Sequence, residues 1–433
     1  MGPAAGGGGL RVGLVANGWP PDVGGVPGQV ELLARGLAER GARPAVLALS
    51  TGGEHAPGAS WCEEGWPFPV RRLRADYGRE MALMDGVKHP AAESELARWI
   101  VAEELDLVHV HHLTGFGLGC LSVPRELGVP SVMTLHDYWC FCPRGQMWHV
   151  DGRVCARPEQ ADCAGCLART WPRLLSATAE GAVAGRLAFV RAQLALPTAL
   201  VTPSRRAAEI LAACGLGERK LEVIPGGSQP QAAAQAGAGG EVVSGGVTRL
   251  GKGRRGQGVV RIGLLGATQV SKGTSFLARV IAASPELEVE LHIHGPAVTD
   301  HGNAHDLEQL EELVAGDRRL HLHGAFSPRE LNRVLGGLDY LAAPALWEET
   351  FGLTVREARA AGLPVLVSDR GALAEGLTPG PHLRVLPAGD GRAWAAALGG
   401  LPSLPREPDR AVPGVEGFVD AHQELYGRLR RGG

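Results

Sequence analysis

The sequence predicts an α/β protein built as two doubly wound halves, and three observations carry that prediction. Short, continuous β-branched or aliphatic runs alternate with Ala/Leu/Arg-rich stretches of helical character, the pattern of parallel strands covered on both faces. The alternation dissolves once, over residues 229–258, and then restarts. The chain has 433 residues, more than one compact domain usually holds and enough for two of ordinary size.

In the first half, strands are expected over residues 11–16, 43–49, 107–111, 131–135, 200–202 and 221–224, with helices over 29–40, 93–104 and 205–214. Residues 229–258 are rich in Gly, Ala and Gln, lack a periodic apolar face, and read as a flexible linker. Their Lys252-Gly-Arg254-Arg255 cluster reads as a solvated tract. In the second half, strands are expected over 260–265, 288–294, 319–323, 338–342, 364–367 and 383–386. Helices are expected over 275–283, 306–314, 328–335 and 353–361. This divides the chain into 10–228, with a Cys-rich insertion at about 137–170, then the linker, then 259–413. A last helix within 414–433, over 415–429, is expected to pack back across the domains. Two such halves place a ligand in the cleft at the carboxyl ends of their strands.

Net charge is −3, with 45% hydrophobic and 21% charged residues. So balanced a chain has no basic excess with which to displace counterions, which excludes nucleic-acid capture as its main activity. Only four of its 43 basic residues are Lys, and with 63 Gly and 30 Pro the Arg content reads as compositional drift. The first ten residues carry no charged segment leading into an apolar one, so a cytoplasmic location is expected. Cysteines there stay mostly reduced, and clustered ones point to metal or reactive chemistry before disulfides.

The most informative stretch runs from Pro344 to Glu357, Pro-Ala-Leu-Trp-Glu-Glu-Thr-Phe-Gly-Leu-Thr-Val-Arg-Glu. A strand runs into a loop bearing Glu348 and Glu349, and Thr350 is expected to cap a helix opened by Phe351, Gly352 and Leu353. Free N–H groups and the positive end of the helix dipole there suit a phosphate, and Gly352 permits close backbone approach. Glu349 is placed to accept hydrogen bonds from sugar hydroxyls, and Glu357 is expected about two turns in. Alone, two spaced carboxylates would more often be a solvated loop and a surface helix.

This stretch resembles the E-x7-E signature of retaining family 4 glycosyltransferases, with Glu349 and Glu357 as its ends. The resemblance implies the GT-B fold: two Rossmann-like domains, the C-terminal one holding most of the nucleotide-sugar. Gly24 and Gly25, after the first strand, resemble the Gly-Gly loop that lies against donor phosphates and acceptor; adjacent glycines let amides approach an anion. His136, in Leu135-His-Asp-Tyr-Trp139, looks like the strand-end His near the donor sugar. Lys272, in a Gly-flanked loop, matches the Lys that binds the donor diphosphate. Ala267 stands where the family usually has an Arg, which removes one expected cationic clamp. Val201-Thr-Pro-Ser204 and Val223-Ile-Pro-Gly-Gly227 also match, with Gly226 at a usual Asn position; both residue types tolerate a left-handed turn. His109, His111 and His112 lie along a strand whose alternate side chains face opposite sides, so a structural or acceptor-side role is expected of them.

Cys140, Cys142, Cys155, Cys163 and Cys166 fall within 27 residues. Soft thiolates at C-x12-C-x7-C-x2-C spacing favour a structural zinc on Cys142, Cys155, Cys163 and Cys166. An iron–sulfur cluster, a labile disulfide or free thiols are the alternatives, and Cys140 is the substitute for Cys142. Cys62, Cys120 and Cys214 read as isolated buried thiols. Some family relatives carry a similar Cys-bearing stretch after His-Asp-Tyr-Trp, which implies an acceptor-side knuckle.

The resemblance implies transfer of a sugar from a nucleotide diphosphate donor to a saccharide, lipid-linked glycan or natural-product acceptor, with no cofactor required for catalysis. His136 and Glu349 would act at the reacting sugar. Gly24, Gly25, Lys272, Thr350, Phe351, Gly352, Leu353 and Glu357 would hold the donor. Closure about the linker would exclude water. Acceptor contacts are expected in the first half, in residues 61–90 and the cysteine segment, and a peripheral membrane contact is compatible with a lipid-linked acceptor. The rival readings are a nucleotide-sugar epimerase or sugar-phosphate synthase on the same scaffold, and a non-catalytic nucleotide-sugar binder or redox- or metal-sensing module.

Overall fold

The computed structural model describes residues 9–22, 24–50, 54–75, 87–171, 179–216, 219, 221–228, 259–298 and 304–431. The expected linker, Val23 and residues 76–86 of the expected acceptor stretch lie outside the described residues. Two compact units are present. One takes Met1–Met147, Cys155–Gly227 and Val415–Gly433, and the other takes Trp148–Val154 and Ser228–Gly414.

The first unit is built on eight strands: β1 (Arg11–Ala16), β2 (Arg43–Ser50), β3 (Ser60–Glu63), β4 (Val70–Arg74), β5 (Leu107–Val110), β6 (Ser131–Thr134), β7 (Ala199–Thr202) and β8 (Leu221–Val223). Their order is β3-β4-β2-β1-β5-β6-β7-β8, parallel throughout except for β3 against β4. That antiparallel edge was not expected, because β4 carries three arginines in five residues. Arg72 is nevertheless buried. It pairs with Glu63 and donates to the carbonyls of Leu49 (3.2 Å), Trp19 (3.2 Å) and Pro20 (2.6 Å), so its polar atoms are satisfied inside.

Helix α1 (Gly25–Glu39) opens four residues before the expected start, since Pro27 is tolerated in a first turn. It is followed by α2 (Pro90–Ala102), α3 (Ser122–Glu126), α4 (Gln160–Thr170), α5 (Ala179–Leu194) and α6 (Arg205–Ala213). The C-terminal helix Val415–Arg431 packs on α1: a Cβ on Gly36 would lie 2.4 Å from Val419, so glycine is what admits the contact. Phe418, Val419, Leu425 and Tyr426 thereby join a core with Val12, Leu14, Leu33 and Leu37.

The second unit is a six-stranded, all-parallel sheet of β9 (Val260–Leu265), β10 (Val289–His294), β11 (Leu320–Gly324), β12 (Tyr340–Ala343), β13 (Val365–Ser368) and β14 (Leu383–Leu386), ordered β11-β10-β9-β12-β13-β14. Its helices are α7 (Thr274–Ala282), α8 (Ala304–Gly316), α9 (Leu331–Gly336), α10 (Leu353–Ala360) and α11 (Gly391–Gly399). The expected helix over 328–335 divides into a 3₁₀ turn, Pro328–Glu330, and α9. Both sheets have covered apolar strands, and the strand order reverses beside the first strand of each, the doubly wound α/β pattern. No helix among the described residues is long and apolar enough to cross a membrane.

Candidate active site

In the second unit, two loops leave the carboxyl ends of neighbouring strands β9 and β12. The first runs from Gly266 through a 3₁₀ turn, Val270–Lys272, to Gly273 at φ +75°, which caps α7. The second is residues 344–352, leading into α10. They are fastened together. Leu346 N–H donates to Ser271 O at 2.8 Å, and a Cβ on Gly273 would fall 2.0 Å from Pro344 O. Lys272 Nζ lies 2.5 Å from Glu349 Oε2 and 5.1 Å from the centre of the Trp347 ring. Glu349 is buried, and its carbonyl accepts from Ala372 N–H at 2.7 Å. Glu348 accepts from Gly371 N–H at 2.9 Å.

The cap of α10 is Gly352, not Thr350. A φ of +77° takes Gly352 out of the helical region, so no helix can run back through it to Phe351. The amides that open α10 are therefore those of Leu353 and Thr354, while Val355 N–H already turns back to Gly352 O at 3.1 Å. Phe351 is buried, with the Arg356 guanidinium 4.3 Å over its ring. Counted from Leu353, Glu357 sits a little over one turn in, not two. It is half-buried, with no hydrogen bond or ion pair to its side chain among the described residues, and loss of solvent pushes its carboxyl up to about 7.

Arg356 was not expected to matter, and it organises this loop. It is 2% exposed and donates to the carbonyls of Phe351, Leu373 (3.0 Å), Ala372 (2.7 Å) and Glu375 (2.7 Å). Burial lowers its guanidinium to about 10. One cation thus ties residues 351 and 372–375 into a frame around Glu349. The available signal was its place beside Val355 and Ala358 on the inward face of α10.

In the first unit, Gly24 and Gly25 are exposed at the start of α1. Buried Gln29 clamps Gly227 from that helix: its Nε2 donates to Gly227 O (2.8 Å) and its Oε1 accepts from Gly227 N–H (2.9 Å). Gly226 is not among the positive-φ glycines, so its turn is not left-handed.

His136 closes a run of imidazoles. His109 contacts Tyr426 OH (2.6 Å) through Nδ1 and Thr134 Oγ1 (2.7 Å) through Nε2, and its ring lies 3.9 Å from that of His111. His111 Nδ1 is 3.1 Å from His136 Nε2. His112 turns away to Asp137, 3.1 Å distant; β5 ends at Val110, so of the three histidines only His109 lies on the strand, and His111 and His112 follow it. Loss of solvent, then neighbouring imidazoles, drive His109 and His111 well below their usual range, and His136 to about 3. These rings are neutral hydrogen-bonding groups at physiological pH.

The cysteines divide differently from expectation. Cys62 is exposed, because it lies on the edge strand β3. Cys214 is not isolated: burial, then Cys142 across from it, push its thiol up to about 12. Burial, with Cys142 and Cys166 nearby, pushes Cys163 to about 11. No three of the thiols at 142, 155, 163 and 166 lie within 4.8 Å of one another.

Two family models match the chain, Glycosyltransferase Family 4 over residues 23–231 and Glycosyl transferases group 1 over 259–402. A D-inositol 3-phosphate glycosyltransferase of Corynebacterium urealyticum is 30% identical over 170 residues, 38% of this chain and 39% of that protein. An MMP alpha-(1->4)-mannosyltransferase of Mycolicibacterium hassiacum is 27% identical over 70% of this chain and 63% of its own length. The chain thus spans less than two thirds of the length of these curated relatives. Among solved structures, sucrose-phosphate synthase from Thermosynechococcus elongatus superposes with a TM-score of 0.67 at 18% identity, covering 98% of this chain and 100% of that one. HepE of Anabaena, solved with UDP and glucose, gives 0.61 at 15% identity over 96% and 99%. Both of its α/β units being accounted for, the chain belongs to the family 4 glycosyltransferases and has the GT-B fold.

Proposed function

We propose that the chain transfers a sugar from a nucleotide diphosphate sugar to an acceptor hydroxyl with retention of the anomeric configuration. The observation that carries this reading is the pairing of Lys272 and Glu349 on two interlocked loops, the second leading straight into α10 with its opening amides and Glu357. A diphosphate has use for a cation and for unpaired amides; a sugar and a ribose have use for carboxylates that accept hydroxyl protons. In the step, the bond from the anomeric carbon to the diphosphate oxygen breaks, and a bond to the acceptor oxygen forms on the same face. The acceptor proton passes to the departing phosphate oxygen, and the nucleoside diphosphate leaves.

Lys272 and the amides of Leu353 and Thr354 stabilise the charge that grows on that leaving group. With Ala267 in place of a second cation, Lys272 carries most of it. Glu349 holds the sugar and Glu357 the ribose hydroxyls, while neutral His136 offers a hydrogen bond at the sugar without adding charge. The chemistry uses no cofactor; zinc on the Cys142, Cys155, Cys163 and Cys166 segment would be structural and would have to draw the thiols together. The acceptor is a saccharide, a lipid-linked glycan or a natural product, met in the cytoplasm, the lipid-linked case with peripheral membrane contact.

A panel of nucleotide-sugars tested by thermal shift and by nucleoside diphosphate release, with product analysis, examines this reading. A stabilising donor whose diphosphate is slowly released supports it. Donor binding without turnover would favour the non-catalytic binder, and an isomerised nucleotide-sugar the epimerase.

A further inference from the structure

Away from these loops, the outer strand pair of the second unit carries four histidines on one face. His292 and His294 lie on β10, and His321 and His323 on the edge strand β11, with His292 in register with His321. Glu290 shares the face, two residues before His292. Leu291 and Ile293 point the other way, into the core with Leu310 and Leu320. The rings of His292 and His321 stack at 4.6 Å, and those of His294 and His323 at 4.2 Å. His292 is 4% exposed.

The donor atoms of Glu290, His292 and His321 lie within 4.8 Å of one another. His292 Nδ1 is 3.0 Å from His323 Nε2, whereas its Nε2 has no hydrogen bond and stands 3.4 Å from Glu290 Oε2. The buried Nε2 of His321 also has no hydrogen bond. A neutral imidazole carries one proton. When His292 places it on Nδ1, facing His323, its Nε2 lone pair confronts a carboxylate oxygen, and the space between two such acceptors suits a cation. An outer partner on the far ring nitrogen is also how metal-binding imidazoles are oriented.

We propose that Glu290, His292 and His321 form a site for a divalent transition-metal ion, joining β10 to the edge strand β11. Two imidazoles and one carboxylate suit Zn²⁺, with water in the fourth position, and do not suit Mg²⁺ or Ca²⁺, which take oxygen ligands. Bonds of ~2.0–2.2 Å draw the three donors inward and splay the stacked rings. The site needs neither the nucleotide-sugar nor the cysteines. It stiffens the strand whose last carbonyl, His294 O, accepts from Gly266 N–H at 2.9 Å at the start of the Lys272 loop.

The test strips the full chain with chelator and titrates ZnCl₂, reading bound zinc and melting temperature. The chain with serine at 142, 155, 163 and 166 serves as background, so that thiolate zinc does not enter the count. The expected result is one zinc per chain with a raised melting temperature. His321→Gln should abolish both while melting like the parent without metal, and His323→Gln should weaken affinity ~10–100-fold. Glu290→Gln, at a half-exposed position, repeats the test if His321→Gln fails to fold. No bound zinc in this background, or undiminished zinc in both His321→Gln and Glu290→Gln, would overturn the proposal and leave the histidines as a hydrogen-bonded ladder closed by a His292 Nε2–H facing Glu290.

Discussion

The imidazole cluster beside His136 in the first unit and the Lys272–Glu357 site of the second treat their desolvated titratable groups in opposite ways. In the first, His109, His111 and His136 are stacked and hydrogen-bonded, and lose their charge to burial. In the second, Lys272 is held against Glu349, and Glu357 is left without a cation at about 7. A buried imidazole can shed its proton and still donate and accept. A carboxylate that must receive hydroxyl protons has to stay ionised, and its environment sets the pH at which it does. The pH dependence of function should therefore originate in the second unit, and loss of a histidine should be felt as geometry.

The largest effect that would sharpen this contrast is expected at Arg356. Arg356→Met strands carbonyls now served by one buried guanidinium, and should cost about 3 kcal/mol in urea unfolding and lower donor affinity as the Glu349 frame loosens. A loss below about 0.5 kcal/mol would show the frame holding itself. Next is Glu357→Gln. Its folded pKa of about 7 lies above the unfolded value near 4.5, so the folded state binds the extra proton between them. Wild-type stability thus falls as pH rises through that window. The variant should match wild type near pH 4.5 and exceed it by up to about 3 kcal/mol at pH 8. Donor affinity should weaken in wild type below pH 7 and be lower and pH-independent in the variant; a wild-type profile retained in the variant would remove Glu357 from the site.

Gly371→Ala is expected to rank third. A Cβ there meets Glu349 O at 2.1 Å and φ is +61°, so about 1–3 kcal/mol of stability should be lost, with donor affinity falling alongside. The smallest change is His136→Asn, which should lower turnover yet leave the pH profile between 5 and 8 in place. A shifted profile would mean that the imidazoles titrate in function and would erase the contrast between the units.

Much of this was legible in the sequence for a physical reason. Residues 11–16, 260–265 and 383–386 form strands with the expected bounds, because short runs dominated by aliphatic and β-branched residues between turn residues have few other uses. Lys272 and Glu349, 77 residues apart, could be set in one site only through family resemblance, and the structure joins them. What stayed hidden was polar and buried. Arg72 of β4, Arg356 and the His292 ladder are satisfied or positioned by tertiary partners that no local pattern announces. The cap of α10 was misplaced for a related reason: Thr350 has the right chemistry, but the left-handed turn two residues later decides where the helix begins.

The central claim is that the Lys272–α10 assembly binds a nucleoside diphosphate. Calorimetric titration of UDP and GDP into the wild-type chain and into Lys272→Ala tests it most directly. The account predicts measurable binding of at least one of them, weakened ~100-fold or more by the variant while its melting temperature without ligand stays near that of wild type. Equal affinity in the two proteins would contradict it and move the donor site away from Lys272.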